Sequence, residues 1–388
     1  MGKTAVASSF RTADIAGVPL VKVLTEDGSA LLPGRHGPLP SNEQMLAIHR
    51  AMLTTRLSDD RFLKLQRQGR IGFVGTSMGL EAAIHGSGAV FGAKDWIFPA
   101  LRENGVAVQR GAPLHELVAQ MYGNAEDTAK GRQMPNHFQS RPANFVSWSS
   151  VIGTQLPQAV GAAMAFQSRR EPHIACAYSG DGATSSSGFH SALNCAAVFK
   201  APVVFVVIDN AWAISVPSSK QTAARSYGAK AVAYGMPGVD VDGNDALACY
   251  QETRTAAERA RAGQGPSLVC LRSYRMGGHS SSDDPTRYRN AEEFEYWKGR
   301  DPLTRFENYL RSQNLLDEAS RQQLADAITA ELSAAVERAE KAGPPTLETL
   351  VEDVYASPPA SLRRQVIDAL RITAEKGEAE RVAGEFPL

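Results

Sequence analysis

This sequence predicts an α/β fold on a mostly parallel sheet, and three observations carry that prediction. Short apolar runs, His173–Tyr178, Val203–Ile208 and Ser267–Ser273, read as buried strands, and Val203–Ile208, apolar throughout, as one buried on both faces. Segments with apolar residues at helical spacing separate them, so strand and helix alternate as in βαβ units. The chain has 388 residues at 43% hydrophobic content, enough for a large core.

In chain order, residues 1–40 hold Pro19, Pro33, Pro38 and Pro40 and read as an irregular arm. A helix starts at Ser41 with Met45, Ile48, Met52 and Leu53 on its inner face, and a second runs from Arg61 to Gln68 before Gly69. Gly79–Phe91 is a glycine-broken helix and Asp95–Phe98 a short strand with Leu101-Arg102-Glu103-Asn104-Gly105 at its tip. Leu114–Tyr122 is helical. Gly123–Val146 is a long polar loop, a length that in compact domains tends to be functional. Gln155–Gln167 is a helix rich in small residues, suited to close packing. Further on come a polar loop at Pro217–Lys230, a strand at Gly238–Val241, a helix to Arg261 capped by Asn244 or Asp245, and a polar loop at 274–300. Asp317–Ala342, Thr346–Tyr355 and Ser361–Lys376 read as three closing helices. The expected divisions are the arm 1–40, an α/β domain 41–305 and a helical extension 306–388.

Lys+Arg and Asp+Glu are 41 each, so nothing suggests a nucleic-acid surface or a polybasic membrane patch. No apolar run reaches membrane-spanning length, and the first residues lack a signal-peptide core. Cys176, Cys195, Cys249 and Cys270 form no CxxC pair and read as small buried hydrophobes of a reducing compartment.

The chemistry concentrates between Ser179 and Ser215. Gly180-Asp181-Gly182 follows the first strand, a helical pattern runs from Ser187 to Lys200, and Asp209-Asn210 lies just past the end of the next strand. Open α/β sheets bind ligands beyond the carboxyl ends of their strands. A carboxylate and a side-chain carbonyl at two such ends, completed by waters and phosphate oxygens, suit the octahedral oxygen coordination of Mg²⁺. The glycines allow close approach to a diphosphate, and the following helix points its positive end at the anion. The alternative is an ordinary βα turn that carries an Asp.

Gly-Asp-Gly followed about thirty residues later by Asn resembles the thiamine-diphosphate signature. The flanks resemble the alpha subunit of the decarboxylase component of 2-oxoacid dehydrogenases, the branched-chain type above all. The similar segments are Gln66–Ile71, Gly131–His137, Thr154–Ala163, Val241–Asp245, Arg275–Asp284 and Glu352–Tyr355, so the likeness spans roughly residues 40–375. It implies a thiamine-diphosphate-binding fold with cofactor contacts at Leu101, Arg102, Ser150, Ile152, Gly180, Asp181, Gly182, Ala183, Asn210 and His279. It implies Mg²⁺ on Asp181, Asn210 and the Trp212 backbone carbonyl. His279, supported by Arg275, would act on the substrate, and Ser280 and Ser282 match positions phosphorylated in some relatives. Ile208 departs from the charged residue that relatives often carry, and Asp181 and Gly278 stand where the branched-chain type often has Glu and His.

The turn holding Ser149, Ser150, Val151, Ile152, Thr154 and Gln155 suits a monovalent cation such as K⁺ through Ser149, Val151, Thr154 and Gln155, a use the resemblance implies. A plain N-cap cluster is the alternative. His279, in a glycine-rich loop, is expected to titrate near neutral pH and serve as acid or base. Only one diphosphate-type βαβ unit is present, so the pyrimidine-side domain is expected on a beta subunit, in a heterotetramer of two alpha and two beta chains. The resemblance further implies a 2-oxoacid substrate and a lipoyl-bearing acyltransferase partner. The location would be cytoplasmic in a bacterium and the mitochondrial matrix in a eukaryote. A pyruvate or acetoin dehydrogenase alpha subunit is the nearest alternative. A nucleotide-binding α/β protein would want GxxxxGK[ST], which the sequence lacks, and a non-catalytic scaffold is opposed by the intact Asp181, Asn210, Arg102 and His279.

Overall fold

The computed structural model describes residues 19–34, 36–351 and 354–376. Residues 1–18 of the expected arm, and Glu352 and Asp353 of the expected helix at 346–355, lie outside the described residues.

The elements in order are α1 (Asn42–Arg67), α2 (Glu81–Gly88), β1 (Trp96–Phe98), α3 (Asn104–Gln109), α4 (Leu114–Tyr122), α5 (Gln155–Arg169), β2 (Ala175–Gly180), α6 (Ser187–Phe199), β3 (Val203–Asp209), β4 (Trp212–Ala213), β5 (Val216–Pro217), β6 (Gly238–Asp242), α7 (Ala246–Arg261), β7 (Ser267–Arg272), α8 (Ala291–Lys298), α9 (Pro302–Ser312), α10 (Glu318–Lys341) and α11 (Ala360–Lys376). The two helices expected between Ser41 and Gln68 are one. A capping box at Ser41 and Gln44 starts it, and no Gly or Pro interrupts it before Gly69. The expected helix at Thr346–Tyr355 is instead a short 3₁₀ turn at Leu347–Leu350. The stretch between Pro345 and Pro358 is too short to repay helix nucleation without packing. The loop expected at 274–300 ends in a helix, α8, capped by Asn290 accepting from the Glu292 amide at 2.9 Å.

The main sheet has five strands in the order β1-β2-β3-β7-β6, every neighbouring pair parallel. Alternation along the strands divides the core in two. Cys176, Tyr178, Val204, Val206 and Ile208 face the cluster built with α1, α2 and α7, whereas Ala175, Ala177, Val203, Phe205 and Val207 face α5 and α6. Ile208 is therefore a core residue, committed to packing. Ile328, Leu332 and Val336 of α10 join the first cluster. Cys176, Cys249 and Cys270 are buried as expected, while Cys195 is only half-buried; all four are free.

The arm from residue 19 is tied to the sheet. The Val21 amide donates to the Asp240 carbonyl (2.9 Å) and the Asp242 amide to the Val21 carbonyl (3.0 Å), which prolongs the sheet beyond β6. Asp245 caps α7 through Oδ1, accepting from the Leu247 and Ala248 amides, while Oδ2 accepts from the Val23 and Leu24 amides at 2.7 and 2.6 Å. One buried carboxylate thus starts a helix and anchors the arm. The consequence for function is geometric: the carboxyl ends of β2, β3 and β7 open onto the same side.

Candidate active site

β2 and β3 are in register with Gly180 opposite Ile208, so Asp181 and the Asp209-Asn210 pair leave neighbouring strands side by side. A 3₁₀ turn at Asp181–Ser185 follows β2, and α6 begins at Ser187, its N-cap Ser186 accepting from the Phe189 amide. A Cβ at Gly180 would enter open space, so the cleft reaches the backbone there. Asp181 is 1% and Asp209 5% exposed. Burial, then the neighbouring Asp209 charge, pushes the Asp181 carboxyl up to about 7. Asp209 is raised as well, by burial, but it has Arg272 at 3.7 Å and accepts from the Ala211 amide and the Ser218 hydroxyl. The two carboxylates therefore titrate as a coupled pair, in which Arg272 and the two donors favour negative charge on Asp209. Asn210 turns its own side chain back, its Oδ1 accepting from the Trp212 amide at 3.2 Å.

Opposite these strand tips stands a cationic wall. Arg102 is buried. It donates to the Thr76 carbonyl and, at 2.8 Å, to the His279 carbonyl. Burial and the nearby Arg275 push it down to about 9. Arg275 is fully buried and donates to the carbonyls of Trp212 (3.0 Å) and Ile214 (2.7 Å) and to the Tyr288 hydroxyl (3.0 Å). Arg289 lies against the rings of Tyr274, Tyr288 and Trp212 at 5.2, 5.7 and 6.0 Å. The Nε atoms of Arg275 and Arg289 and one terminal nitrogen of Arg289 are buried without a hydrogen-bond partner. Asp283 lies beside Arg275, Glu293 beside Arg289, and Asp59 and Glu103 beside Arg102. Asp283 Oδ2 accepts from the His279 amide at 2.6 Å and from the Tyr288 hydroxyl.

His279 does not titrate near neutral pH as expected. Burial, with Arg102 and Arg275 beside it, drives the imidazole down to about 4, so at pH 7 it is neutral. Arg275 comes from the same loop, but Arg102 reaches it from the segment after β1, and the burial that the fold imposes is not visible in the loop's sequence. Ser280 and Ser282 lie in the same loop, their hydroxyls 3.1 Å apart. Gly278 is tightly enclosed, since a Cβ there would come within 3.1 Å of the Asp283 and Ser280 carbonyl oxygens.

The turn from Ser149 to Gln155 sits beside the start of α6: a Cβ at Gly153, whose φ is +88°, would strike the Ser186 hydroxyl. The turn is largely self-satisfied. The Val151 carbonyl accepts from the Thr154 amide and hydroxyl (3.2 and 2.7 Å), and Ser149 Oγ accepts from the Val151 amide. Ser150 Oγ is 2.8 Å from His137 Nε2. Gln155 donates to the Tyr178 carbonyl and keeps a buried, unpartnered Oε1. Thr154 makes no side-chain cap bond, so the turn is not the simple N-cap cluster. Val151 and Ile152 are exposed.

Several residues of the site escape sequence reasoning. The irregular segment 72–78 packs against Arg102 and the 276–281 loop. Asp59 accepts from the Ser77 amide (2.6 Å), Asn136 from the Gly75 amide (3.0 Å), and Ser77 donates to the Arg102 carbonyl (2.7 Å). Leu101 packs against it, its side chain 3.3 Å from where a Gly75 Cβ would be. Gln221 donates to Asp181 Oδ2 at 2.6 Å. Glu293 accepts from the Trp212 indole at 3.1 Å. Of these only Asn136 lies in a quoted segment. The quoted Gly131–His137 segment contains Asn136, whose φ of +70° is a conformation Asn tolerates.

Among the described residues no group of three or more His, Cys, Asp or Glu side chains is placed to hold a metal. A cation at the strand tips would instead use one carboxylate, one amide oxygen and backbone carbonyls, a hard oxygen set that fits Mg²⁺. The buried, unpartnered guanidinium donors across the cleft fit a polyanion. Together they fit a metal-bound diphosphate.

Fold and site thus define an α/β protein with opposite buried charges converging beyond the carboxyl ends of a parallel sheet. Residues 49–348 match the family model described as the dehydrogenase E1 component. The chain is 42% identical over 349 residues to the 2-oxoisovalerate dehydrogenase subunit alpha 2, mitochondrial, of Arabidopsis thaliana, covering 90% of this chain and 74% of that one. It is 37% identical over 365 residues to the mitochondrial 2-oxoisovalerate dehydrogenase subunit alpha of Homo sapiens, 94% and 82% of the two chains. To the 2-oxoisovalerate dehydrogenase subunit alpha of Pseudomonas aeruginosa it is 39% identical over 364 residues, 91% and 87%. The chain belongs to the dehydrogenase E1 component family, the decarboxylase component of its complex, and the family implies thiamine diphosphate as cofactor.

Proposed function

We propose that this chain is the alpha subunit of a thiamine-diphosphate- and Mg²⁺-dependent 2-oxoacid dehydrogenase that prefers branched-chain 2-oxoacids and passes the acyl group to a lipoyl-bearing acyltransferase. The observation that carries the reading is the pairing of Asp181 and Asn210 on adjacent strand ends with the Arg102, Arg275 and Arg289 wall. The names of the relatives support the substrate class.

In this reading Asp181, Asn210 and the Trp212 carbonyl hold Mg²⁺, and Arg102 binds diphosphate oxygens. Gly180, Gly182 and Ala183 bring the backbone close to the diphosphate, with Leu101, Ser150 and Ile152 lining the rest of the cofactor. Bound thiamine diphosphate supplies the carbanion chemistry that decarboxylates a 2-oxoacid. The residues of this chain position and tune. Arg275 ties the metal loop to the 279–289 loop through Trp212, Ile214 and Tyr288, which is a supporting role. His279, held neutral, offers a ring nitrogen that accepts a hydrogen bond or proton near the reacting carbon. The Ser149–Gln155 turn would take K⁺, with Gln155 Oε1 as its free oxygen.

The described residues contain one such sheet, so the pyrimidine-side domain belongs to a beta chain, in a tetramer of two alpha and two beta chains. Val198, Phe199 and Val232 are exposed apolar side chains suited to such contacts. No helix among the described residues is long and apolar enough to cross a membrane. The enzyme would work in the bacterial cytoplasm or, in a eukaryote, the mitochondrial matrix. The test is co-expression with a beta chain and an artificial-acceptor assay on branched-chain 2-oxoacids, pyruvate and acetoin. Preference for the branched-chain acids supports the reading; preference for pyruvate or acetoin moves the chain to that sister activity, and robust turnover by a lone monodisperse alpha chain refutes the shared site.

A further inference from the structure

We infer that Gln221 is a positioning residue for the metal: it fixes the Asp181 carboxylate so that one oxygen faces the cation. The inference rests on the reading that Asp181 holds Mg²⁺. Gln221 Nε2 donates to Asp181 Oδ2 at 2.6 Å and to the Val216 carbonyl at 3.0 Å. The Tyr227 hydroxyl donates to Gln221 Oε1 at 3.3 Å, which sets the amide with its nitrogen toward the carboxylate. Ser218 adds a hydroxyl 2.9 Å from Asp209 Oδ1 and 3.5 Å from Asp181 Oδ2. Ser218 gives its one proton to the closer Asp209, so Gln221 is the donor that occupies Asp181 Oδ2 and leaves Oδ1 to a cation.

The placement is close and constrained. A Cβ at Gly182 would meet the Ala213 Cβ at 2.9 Å and reach Gln221 Oε1 at 4.0 Å, so the strap 211–221 lies directly over the Asp181 turn. Ala211 and Ile214 in that strap have φ of +69° and +56°, a left-handed backbone that persists only where the surroundings enforce it. The chemistry also selects an amide. A Lys or Arg at this place would neutralise the carboxylate and compete with the metal. A neutral donor orients the carboxylate and leaves its charge intact, as partners of metal ligands commonly do.

The test uses the enzyme assembled with its partner chain and Mn²⁺ as the probe. Free Mn²⁺ is followed by its paramagnetic resonance signal at saturating thiamine diphosphate. Gln221→Met keeps the side-chain length and removes the donor. The expected result is a metal Kd about 10- to 100-fold higher, with thiamine diphosphate affinity at saturating Mn²⁺ and the metal-free melting temperature both unchanged. Asp181→Asn is measured in parallel. Loss of metal in Asp181→Asn with wild-type affinity in Gln221→Met overturns the positioning role alone. Unchanged affinity in both overturns the metal reading beneath it. If Gln221→Met does not assemble, Tyr227→Phe frees the amide to flip: weaker Mn²⁺ binding there supports the role, and wild-type affinity overturns it.

Discussion

The two walls of the cleft carry opposite surplus charge and handle it differently. At the strand tips two buried carboxylates share one site with Arg272 as the near cation, and burial beside the Asp209 charge raises Asp181, so that the pair readily takes up a proton. Across the cleft the guanidiniums donate to backbone carbonyls and a tyrosine, while their acidic neighbours Asp59, Glu103, Asp283 and Glu293 act on them without a direct hydrogen bond to the guanidinium. Arg102 is lowered yet, at about 9, still charged at neutral pH. Buried charge without a counter-charge is costly. One wall can discard its charge by binding a proton; the other keeps it. A free cation would relieve only the first wall and a free anion only the second, whereas a metal diphosphate relieves both. Metal and diphosphate should therefore bind with positive coupling, each tightening the other.

Breaking the acidic wall has the largest expected effect. Asp181→Ala removes the one charged ligand of the proposed metal set and should abolish Mg²⁺-dependent thiamine diphosphate binding in a calorimetric titration of the assembled enzyme; retained affinity would sink the assignment. His279→Ala comes next. Neutral His279 belongs to turnover more than to binding, so turnover or acyl transfer should fall about 10²- to 10⁴-fold while cofactor affinity stays within a few-fold. If both stay at wild-type values, His279 is a bystander of its loop. Arg102→Met tests the basic wall. It removes charge-assisted bonds worth about 1.5–3 kcal/mol each, so thiamine diphosphate affinity should drop about 10- to 100-fold. The same variant should weaken the metal coupling, because the anion that neutralises the acidic wall binds less tightly.

The acidic wall was the legible one. Asp181 and Asn210 sit at the ends of apolar runs, the second rich in β-branched residues, that read as buried parallel strands, and a strand end fixes where the next residue lies. The basic wall was legible only in part. Arg102 follows β1, but Arg289 was lost in an expected polar loop, because the charged segment Glu292–Lys298 shows little apolar periodicity before α8 packs. Gln221, Asp59, Ser77 and Asn136 act through irregular segments whose course is set by long-range hydrogen bonds. The charge state of His279 is set the same way: burial and Arg102, which the fold brings in from a distant segment, add to the nearby Arg275. Local motifs reveal which groups are present. Their titration reflects neighbours that only the fold supplies.

The smallest predicted effect is a pH dependence that separates the walls. A metal at the strand tips needs Asp181 deprotonated, and burial beside Asp209 raises this carboxyl to about 7. Proton and metal then compete. Above about pH 7 the carboxylate is already charged and Mg²⁺ affinity should be flat. Below it each bound metal displaces a proton, so affinity should fall up to about tenfold per pH unit. The basic wall behaves differently. Arg102 stays protonated well below 9, and sulfate keeps its charge through this range, so sulfate affinity should not change between about pH 6 and 8. Calorimetry of the assembled enzyme with Mg²⁺ and with sulfate, in buffers of different ionisation heat, measures affinity and proton release together. A metal affinity as flat as that for sulfate, with no proton released, would mean that the pair meets the metal already ionised, and the asymmetry between the walls would disappear.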